Sequence, residues 1–340
     1  MVGDKSPKKG PGSLKTLMDL ATGYQKSMVL LTSVKLGVFE ALVRGPQTAE
    51  AIARHCGTHP RSTELLLNSC AALGLLSKSG GLYANLPLAL RFLVPGSKSY
   101  LGYFFGLMED GYRNWGRLPD AVRENHPVRP AERDAGRDPN WNRSFTMAMH
   151  QGAQITARQV AGILDLKGCR RLMDVGGGPG TFAMELVKRN PELEATVFDL
   201  PGVLEITREL VAENELSDRI RLQPGDYHED SFGRDNDVVL LFGILHSESI
   251  NSRHRLLTKV WESLAPGGLV VVRQLLLDED RAGPPEASMF SLQMLLNTDS
   301  GECYTWQEIK SLLQESGFVD PQRQLISKKR PYWLVMARKA

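Results

Sequence analysis

The sequence predicts an α/β protein, with a doubly wound, mainly parallel sheet in its C-terminal half and a smaller α-helical domain of winged-helix pattern before it. Three observations carry this. From residue 171 onward, short apolar runs alternate with helical patterns. A glycine-rich turn, Gly176-Gly177-Gly178-Pro179-Gly180, stands between the first of those runs and the helix after it. Residues 48–83 read as two short helices followed by a hairpin. At 340 residues the chain can build two cores, and 42% hydrophobic with 24% charged residues is ordinary for a folded protein.

Charge and cysteine usage narrow the function classes. With 41 Lys and Arg against 39 Asp and Glu, the chain lacks the basic footprint of phosphate binding, so neither nucleic acid nor an anionic membrane is expected as partner. A small molecule fits better. Residues 1–15 carry Lys5, Lys8, Lys9 and Lys15 among Gly, Pro and Ser, which reads as a flexible tail without the apolar core of a signal peptide. Cys56, Cys70, Cys169 and Cys303 show no CxxC spacing, which favours a reducing cytoplasm. No apolar run approaches the ~18 residues that span a bilayer.

The N-terminal domain is assigned to residues 16–116. Leu30, Leu31, Val34, Leu36, Val38, Phe39 and Leu42 recur at helical spacing over 28–45, and Gly45-Pro46 closes that helix. Helices are then expected over 48–56 and 60–73, with Thr58 as a cap and Gly74 as a stop. Leu75-Leu76, the turn Ser79-Gly80-Gly81 and Leu82-Tyr83 complete the winged-helix pattern. Such a module can bind DNA, but the would-be reading helix offers only Arg61 and Asn68 beside Glu64 and a stripe of leucines. Aromatic residues cluster from Tyr100 to Trp115, a density that suits a helix core or the wall of a pocket for a flat ligand.

Residues 117–167 are read as a connection: an exposed, Arg-, Pro- and Asp-rich stretch to residue 140, then a helix over 142–166. The α/β domain follows over 168–340. Strands are expected at 171–175, 194–199, 220–223, 237–241 and 269–276, and helices at 181–189, 203–214 and 252–264.

Three strand ends carry ligand-type residues. Asp174 precedes the glycine turn, whose spacing is not GxGxxG, so a cationic ligand is a better match than a dinucleotide pyrophosphate. Asp199, in Phe198-Asp199-Leu200-Pro201, ends the next strand, where a carboxylate suits two ribose hydroxyls. In Gly225-Asp226-Tyr227, Asp226 suits an adenine amino group and Tyr227 the face of its ring.

With these motifs together, the chain resembles the S-adenosylmethionine-dependent O-methyltransferases of the acetylserotonin and plant caffeate type over nearly its whole length. Ala265-Pro266-Gly267-Gly268 and Leu276-Leu277-Asp278-Glu279-Asp280 match the family's later segments. The resemblance implies a Rossmann-like class I methyltransferase domain and an N-terminal domain that forms a homodimer. It implies S-adenosylmethionine as cofactor, held by Asp174, Gly176, Gly178, Asp199, Leu200, Gly225, Asp226, Tyr227 and Phe242. It implies a small, flat, hydroxyl-bearing substrate, with Phe105, Trp115, Phe145, Met149, Met294 and Asn297 as pocket walls. The family's base falls on His246 in Gly243-Ile244-Leu245-His246-Ser247. An imidazole whose unperturbed pKa is about 6.5 can take a hydroxyl proton near neutral pH. No metal site is expected, because His246 has no His or carboxylate at ligand spacing.

The sequence departs from the family beside that histidine. Ser247 stands where Asp is usual, and the places of two glutamates that steer the histidine fall on Gln274 and Cys303, with Glu302 adjacent. A carboxylate orients the ring and stabilises its protonated form, so its loss weakens the base. Three readings stay open: an already acidic hydroxyl as acceptor; a sulfur, nitrogen or carbon acceptor; or lost methyl transfer.

Overall fold

Helix α1 (Leu14–Lys35) starts directly after Ser13, whose side-chain oxygen accepts the Thr16 N–H at 3.3 Å. In the computed structural model, which describes residues 13–128, 139–328 and 330–340, the expected tail therefore gives way to helix before residue 15; its residues 1–12 lie outside the described ones. The single helix expected over 28–45 is two, because Gly37 takes the left-handed conformation (φ 75°) between α1 and α2 (Val38–Ala41). Next come β1 (Gln47–Thr48), α3 (Ala49–Cys56), α4 (Pro60–Ala72), β2 (Leu76–Ser79), β3 (Leu82–Asn85) and α5 (Pro87–Phe92). The predicted hairpin pairs Ser79 with Leu82, and β1 adds a third strand to give the order β1-β3-β2. Val38, Phe39, Ile52, Leu67, Cys70 and Tyr83 form the buried core of this unit. On α4, Asn68 Oδ1 accepts from Lys78 Nζ at 2.8 Å and from the Tyr83 hydroxyl at 2.7 Å, so one of the two candidate base-reading side chains is tied within the domain.

The chain divides into two units between Glu109 and Asp110, inside α6 (Gly102–Trp115), rather than after residue 116. The physical reason is that one helix serves two cores. Phe105 packs against the first unit's apolar cluster, whereas the Trp115 indole N–H donates to Gln293 Oε1, in the second unit, at 2.6 Å.

In the second unit α7 (Leu118–Glu124) occupies part of the stretch expected to be an exposed connection; residues 129–138 of that stretch lie outside the described ones. Helix α8 (Pro139–Ile163) is no free linker, since it packs on α9 and α10. The alternating elements match the expected ones to within a few residues: β4 (Arg171–Val175), α9 (Thr181–Arg189), β5 (Glu194–Asp199), α10 (Pro201–Glu213), β6 (Ile220–Pro224), β7 (Asn236–Phe242), α11 (Ile250–Ser263) and β8 (Leu264–Leu277). Then follow α12 (Pro285–Asn297), β9 (Tyr304–Thr305), α13 (Trp306–Glu315), β10 (Phe318–Ser327) and β11 (Arg330–Lys339). The main sheet runs β10-β11-β8-β7-β4-β5-β6. β4 to β8 are mutually parallel, and β10 and β11 close one edge antiparallel.

Apolar residues fill both faces of the sheet, one around Val160, Leu186, Val197 and Val238, the other around Val175, Leu241, Leu257 and Val272. Two buried faces explain the uninterrupted apolar strands. Strand order reverses between β4 and β7, and a doubly wound sheet opens a crevice at that switch, at the carboxyl ends of the strands. No described helix is long and apolar enough to cross a membrane.

Candidate active site

The carboxyl ends of β4, β5 and β6 lie level: Val175 is in register with Phe198, and Asp199 with Pro224. The predicted cofactor residues follow those positions and therefore share one edge. The glycine turn is tied down by Gly176 N–H to Phe198 C=O at 2.8 Å and by the Thr207 hydroxyl to Gly178 C=O at 2.6 Å. A Cβ at Gly177 would come within 2.8 Å of the Asp174 carboxyl carbon and 2.9 Å of Val197, so only glycine lets the turn lie this close to the strands.

Asp199 Oδ2 accepts the Gly178 N–H at 2.7 Å, and Oδ1 accepts the Leu200 N–H at 2.8 Å. These bonds fix the carboxylate while each oxygen keeps a second lone pair for a ligand hydroxyl. Burial raises its pKa, against the two backbone N–H groups that lower it. Asp174 is 1% exposed, and its Oδ2 has no hydrogen-bond partner. Burial first, and the neighbouring Asp199 carboxylate second, push its pKa up to about 7. A buried carboxyl group with one unpartnered oxygen, beside a second and partly buried carboxylate, suits a ligand that brings positive charge.

The glycine turn and the third motif meet through Tyr227, whose ring lies 4.0 Å from where a Cβ on Gly176 would stand. The Tyr227 hydroxyl donates to Glu248 Oε1 at 2.8 Å, and the Ser252 hydroxyl donates to the other oxygen of Glu248. The Lys259 ammonium donates to Tyr227 C=O at 2.7 Å. Asp226 is engaged locally: its Oδ1 accepts the His228 N–H at 2.8 Å, and its own N–H donates to Asp230 Oδ2 at 2.8 Å. Phe242, at the end of β7, meets Phe182 edge to face at 4.8 Å.

His246 lies in a 3-10 turn (Leu245–Ser247) just beyond β7. Its partly buried ring packs edge to face on Phe290 at 4.8 Å. Burial, and secondarily the positive charge of Arg273, hold its pKa down to about 4, so the imidazole is neutral at physiological pH. Glu302 is not turned to it, but pairs with Arg281 at 2.6 Å.

Three of the six proposed wall residues are brought together in the second unit. Trp115, Met294 and Asn297 gather at α12: Trp115 bonds to Gln293, Met294 is buried, and Asn297 Oδ1 accepts from Asn114 at 3.1 Å. Phe145 is 42% exposed and leans on Trp141 at 5.8 Å. Met149 is partly buried on α8, and Phe105, partly buried, packs against the first unit's core. Sequence reasoning missed Phe290 and Arg273. Phe290 lies four and seven residues before Met294 and Asn297, a helical spacing that places all three on one face of α12. Arg273 carried no such signal.

Protonation of Asp174 gives a direct test of this geometry. A carboxyl group with pKa about 7 in the folded state and 3.8 as its ordinary value binds a proton that the unfolded chain has released. Stability from this group is therefore full below about pH 4 and is lost as pH rises through about 7. In ligand-free protein, chemical denaturation between pH 5 and 8 should show wild type losing stability relative to Asp174→Asn; parallel curves would contradict a buried carboxyl that holds its proton to about pH 7.

Comparison with known proteins bears on the same residues. Residues 115–319 match the model of an O-methyltransferase domain, and residues 18–95 that of an O-methyltransferase dimerisation domain. The chain is 36% identical over 305 residues to a 3-hydroxy-5-methyl-1-naphthoate 3-O-methyltransferase of Streptomyces sahachiroi, covering 88% of each chain. It is 31% identical over 336 residues to a tetracenomycin polyketide synthesis 8-O-methyl transferase of Streptomyces glaucescens, covering 97% of each. Among solved structures, human N-acetylserotonin methyltransferase in complex with SAM superposes with a TM-score of 0.88 at 30% identity, covering 98% of this chain and 100% of that one.

Proposed function

The chain belongs to the O-methyltransferase family, with S-adenosylmethionine as its cofactor, and on that premise we propose that its acceptor is the hydroxyl of a small, flat, aromatic molecule and that His246 receives the hydroxyl proton. The observation that carries this reading is a neutral imidazole packed on the Phe290 ring, just beyond the strand that ends in Phe242. The naphthoate named for the Streptomyces sahachiroi relative is a flat aromatic of this kind and supports it.

The fit to the cofactor rests on this chain's own atoms. Asp199 has lone pairs left for two ribose hydroxyls, and Asp174 offers a buried carboxyl oxygen with no other partner toward positive charge. Tyr227, held by Glu248, presents a ring face to adenine. When bound, the cofactor supplies an electrophilic methyl group, the acceptor's lone pair forming the O–C bond as the S–C pair returns to sulfur. The protein aligns the acceptor, removes its proton and keeps water out behind Phe290, Met294 and Trp115. A homodimer formed through the first unit is part of the proposal, supported by Leu14, Leu17, Leu20 and Tyr24 standing exposed on α1; a cytoplasmic location is part of it as well.

Incubation with methyl-labelled S-adenosylmethionine and a panel of hydroxyarenes, arylamines and arylthiols tests the reading. Label on the oxygen of hydroxyarenes is expected; label confined to nitrogen or sulfur would overturn it. Sedimentation should give a dimer, and a monomer at micromolar concentration would remove that part.

A further inference from the structure

The charges around His246 run opposite to those that ordinarily help a histidine take a proton. A general-base imidazole becomes a cation as it works, and a nearby carboxylate stabilises that cation. Here the two steering positions hold neutral groups. Gln274 is 1% exposed, and neither atom of its amide has a hydrogen-bond partner among the described residues. Cys303 is fully buried in the apolar cluster against which Phe290 packs, and burial pushes its thiol up to about 11, so it carries no charge.

Three carboxylates on the adjoining segments are committed elsewhere. Glu302 and Glu308 each meet Arg281 at 2.6 Å, and Glu248 takes the hydroxyls of Tyr227 and Ser252. What His246 has within electrostatic reach is a cation. Arg273 is in register with Phe242, four residues before His246, and its guanidinium lies 3.8 Å from the centre of the Tyr332 ring and 5.3 Å from that of Phe182.

We infer that the acceptor is an acidic hydroxyl, of the class of phenols or naphthols acidified by a conjugated carbonyl, carboxyl or nitro group, which meets the methyl donor as its oxyanion with the Arg273 guanidinium as countercharge. The inference rests on the reading of the His246 crevice as an acceptor site for aromatic hydroxyls. The hydroxyl proton passes to the imidazole and on to solvent before the O–C bond forms. No imidazolium then has to persist beside Arg273. A simple phenol would have to leave its proton on an imidazole that burial and Arg273 make a poor base, with neither Gln274 nor Cys303 supplying a carboxylate to hold the cation, a step that carries a heavy penalty. A hydroxyl that ionises near pH ~6 loses most of that penalty, and a cation beside its oxygen lowers it further.

A series of phenols and naphthols graded in acidity, assayed with S-adenosylmethionine across pH, tests the inference. At pH 7, kcat/KM should rise about a hundredfold from acceptors of pKa ~10 to those of pKa ~7, and the acid limb should move with the acceptor. Arg273→Gln should reduce kcat/KM for the acidic members by about tenfold or more, and Arg273→Lys should restore most of it by returning the charge. Calorimetry with S-adenosylhomocysteine checks that each variant is folded. A second readout avoids turnover: 4-nitrophenol bound to the protein loaded with S-adenosylhomocysteine should ionise at lower pH than in water, and Arg273→Gln should abolish that shift. Rates indifferent to acidity, an unchanged or raised ionisation pH for the bound phenol, or a fully active Arg273→Gln would each overturn the inference. The first and third of these, with methyl still reaching aromatic oxygen, would leave the proposed function standing; transfer to amines or thiols alone would remove both.

Discussion

Asp199→Ala should weaken S-adenosylmethionine binding by about a hundredfold or more, to the edge of detection in calorimetry. Hydrogen bonds to a charged group contribute about 1.5–3 kcal/mol each, and this carboxylate has one free lone pair on each oxygen for a ribose hydroxyl. The same substitution releases the Gly178 and Leu200 N–H groups, so the glycine turn loses the anchor that sets its height above the strands. Asp199→Asn separates the two effects, because its amide oxygen can still accept one N–H while the charge is gone. S-adenosylhomocysteine, which keeps the ribose but not the sulfonium charge, should be weakened alike. If alanine at 199 left both affinities within about threefold of wild type, the ribose assignment would fail.

His246→Ala should slow methyl transfer to a weakly acidic aromatic hydroxyl by about a hundredfold or more, the usual contribution of a positioned proton acceptor. Cofactor affinity should change little, since the histidine lies four residues beyond Phe242, the last of the proposed cofactor contacts. The loss should shrink as the acceptor becomes more acidic, because a hydroxyl that arrives ionised needs no base, and only alignment against Phe290 is then missing. Single-turnover rates across acceptors of graded pKa would measure that trend. Equal losses for all acceptors would assign the ring to packing rather than to proton removal.

Much of the site was legible before any coordinates. The glycine turn, Asp199 and the Gly225-Asp226-Tyr227 motif each announce themselves locally, since a backbone that must turn sharply needs glycine and a strand end that must hold a ligand carries a polar side chain. Asp226 shows what local signals leave out: the sequence offers its carboxylate to a ligand, and the structure adds that one oxygen also holds the turn through the His228 N–H. The walls were harder to read. Phe145 and Phe105 had the right chemistry, but Phe145 stands half-exposed against Trp141 and Phe105 packs on the first unit's core, because where a ring stands depends on which core it packs against.

The sequence by itself determined the alternation of strands and helices, the ligand-type residues at three strand ends, and the resemblance to the family to which the chain belongs; these depend on periodicity and local turn chemistry, which operate over a few residues. Only the tertiary structure decided the electrostatics around His246. That Gln274 lies buried with an unpartnered amide, that Glu302 turns to Arg281, and that the cation of Arg273 acts on the imidazole are facts of three dimensions. Burial and the charges that surround a group set its protonation, and both are fixed by which strands and helices come together rather than by neighbours along the chain.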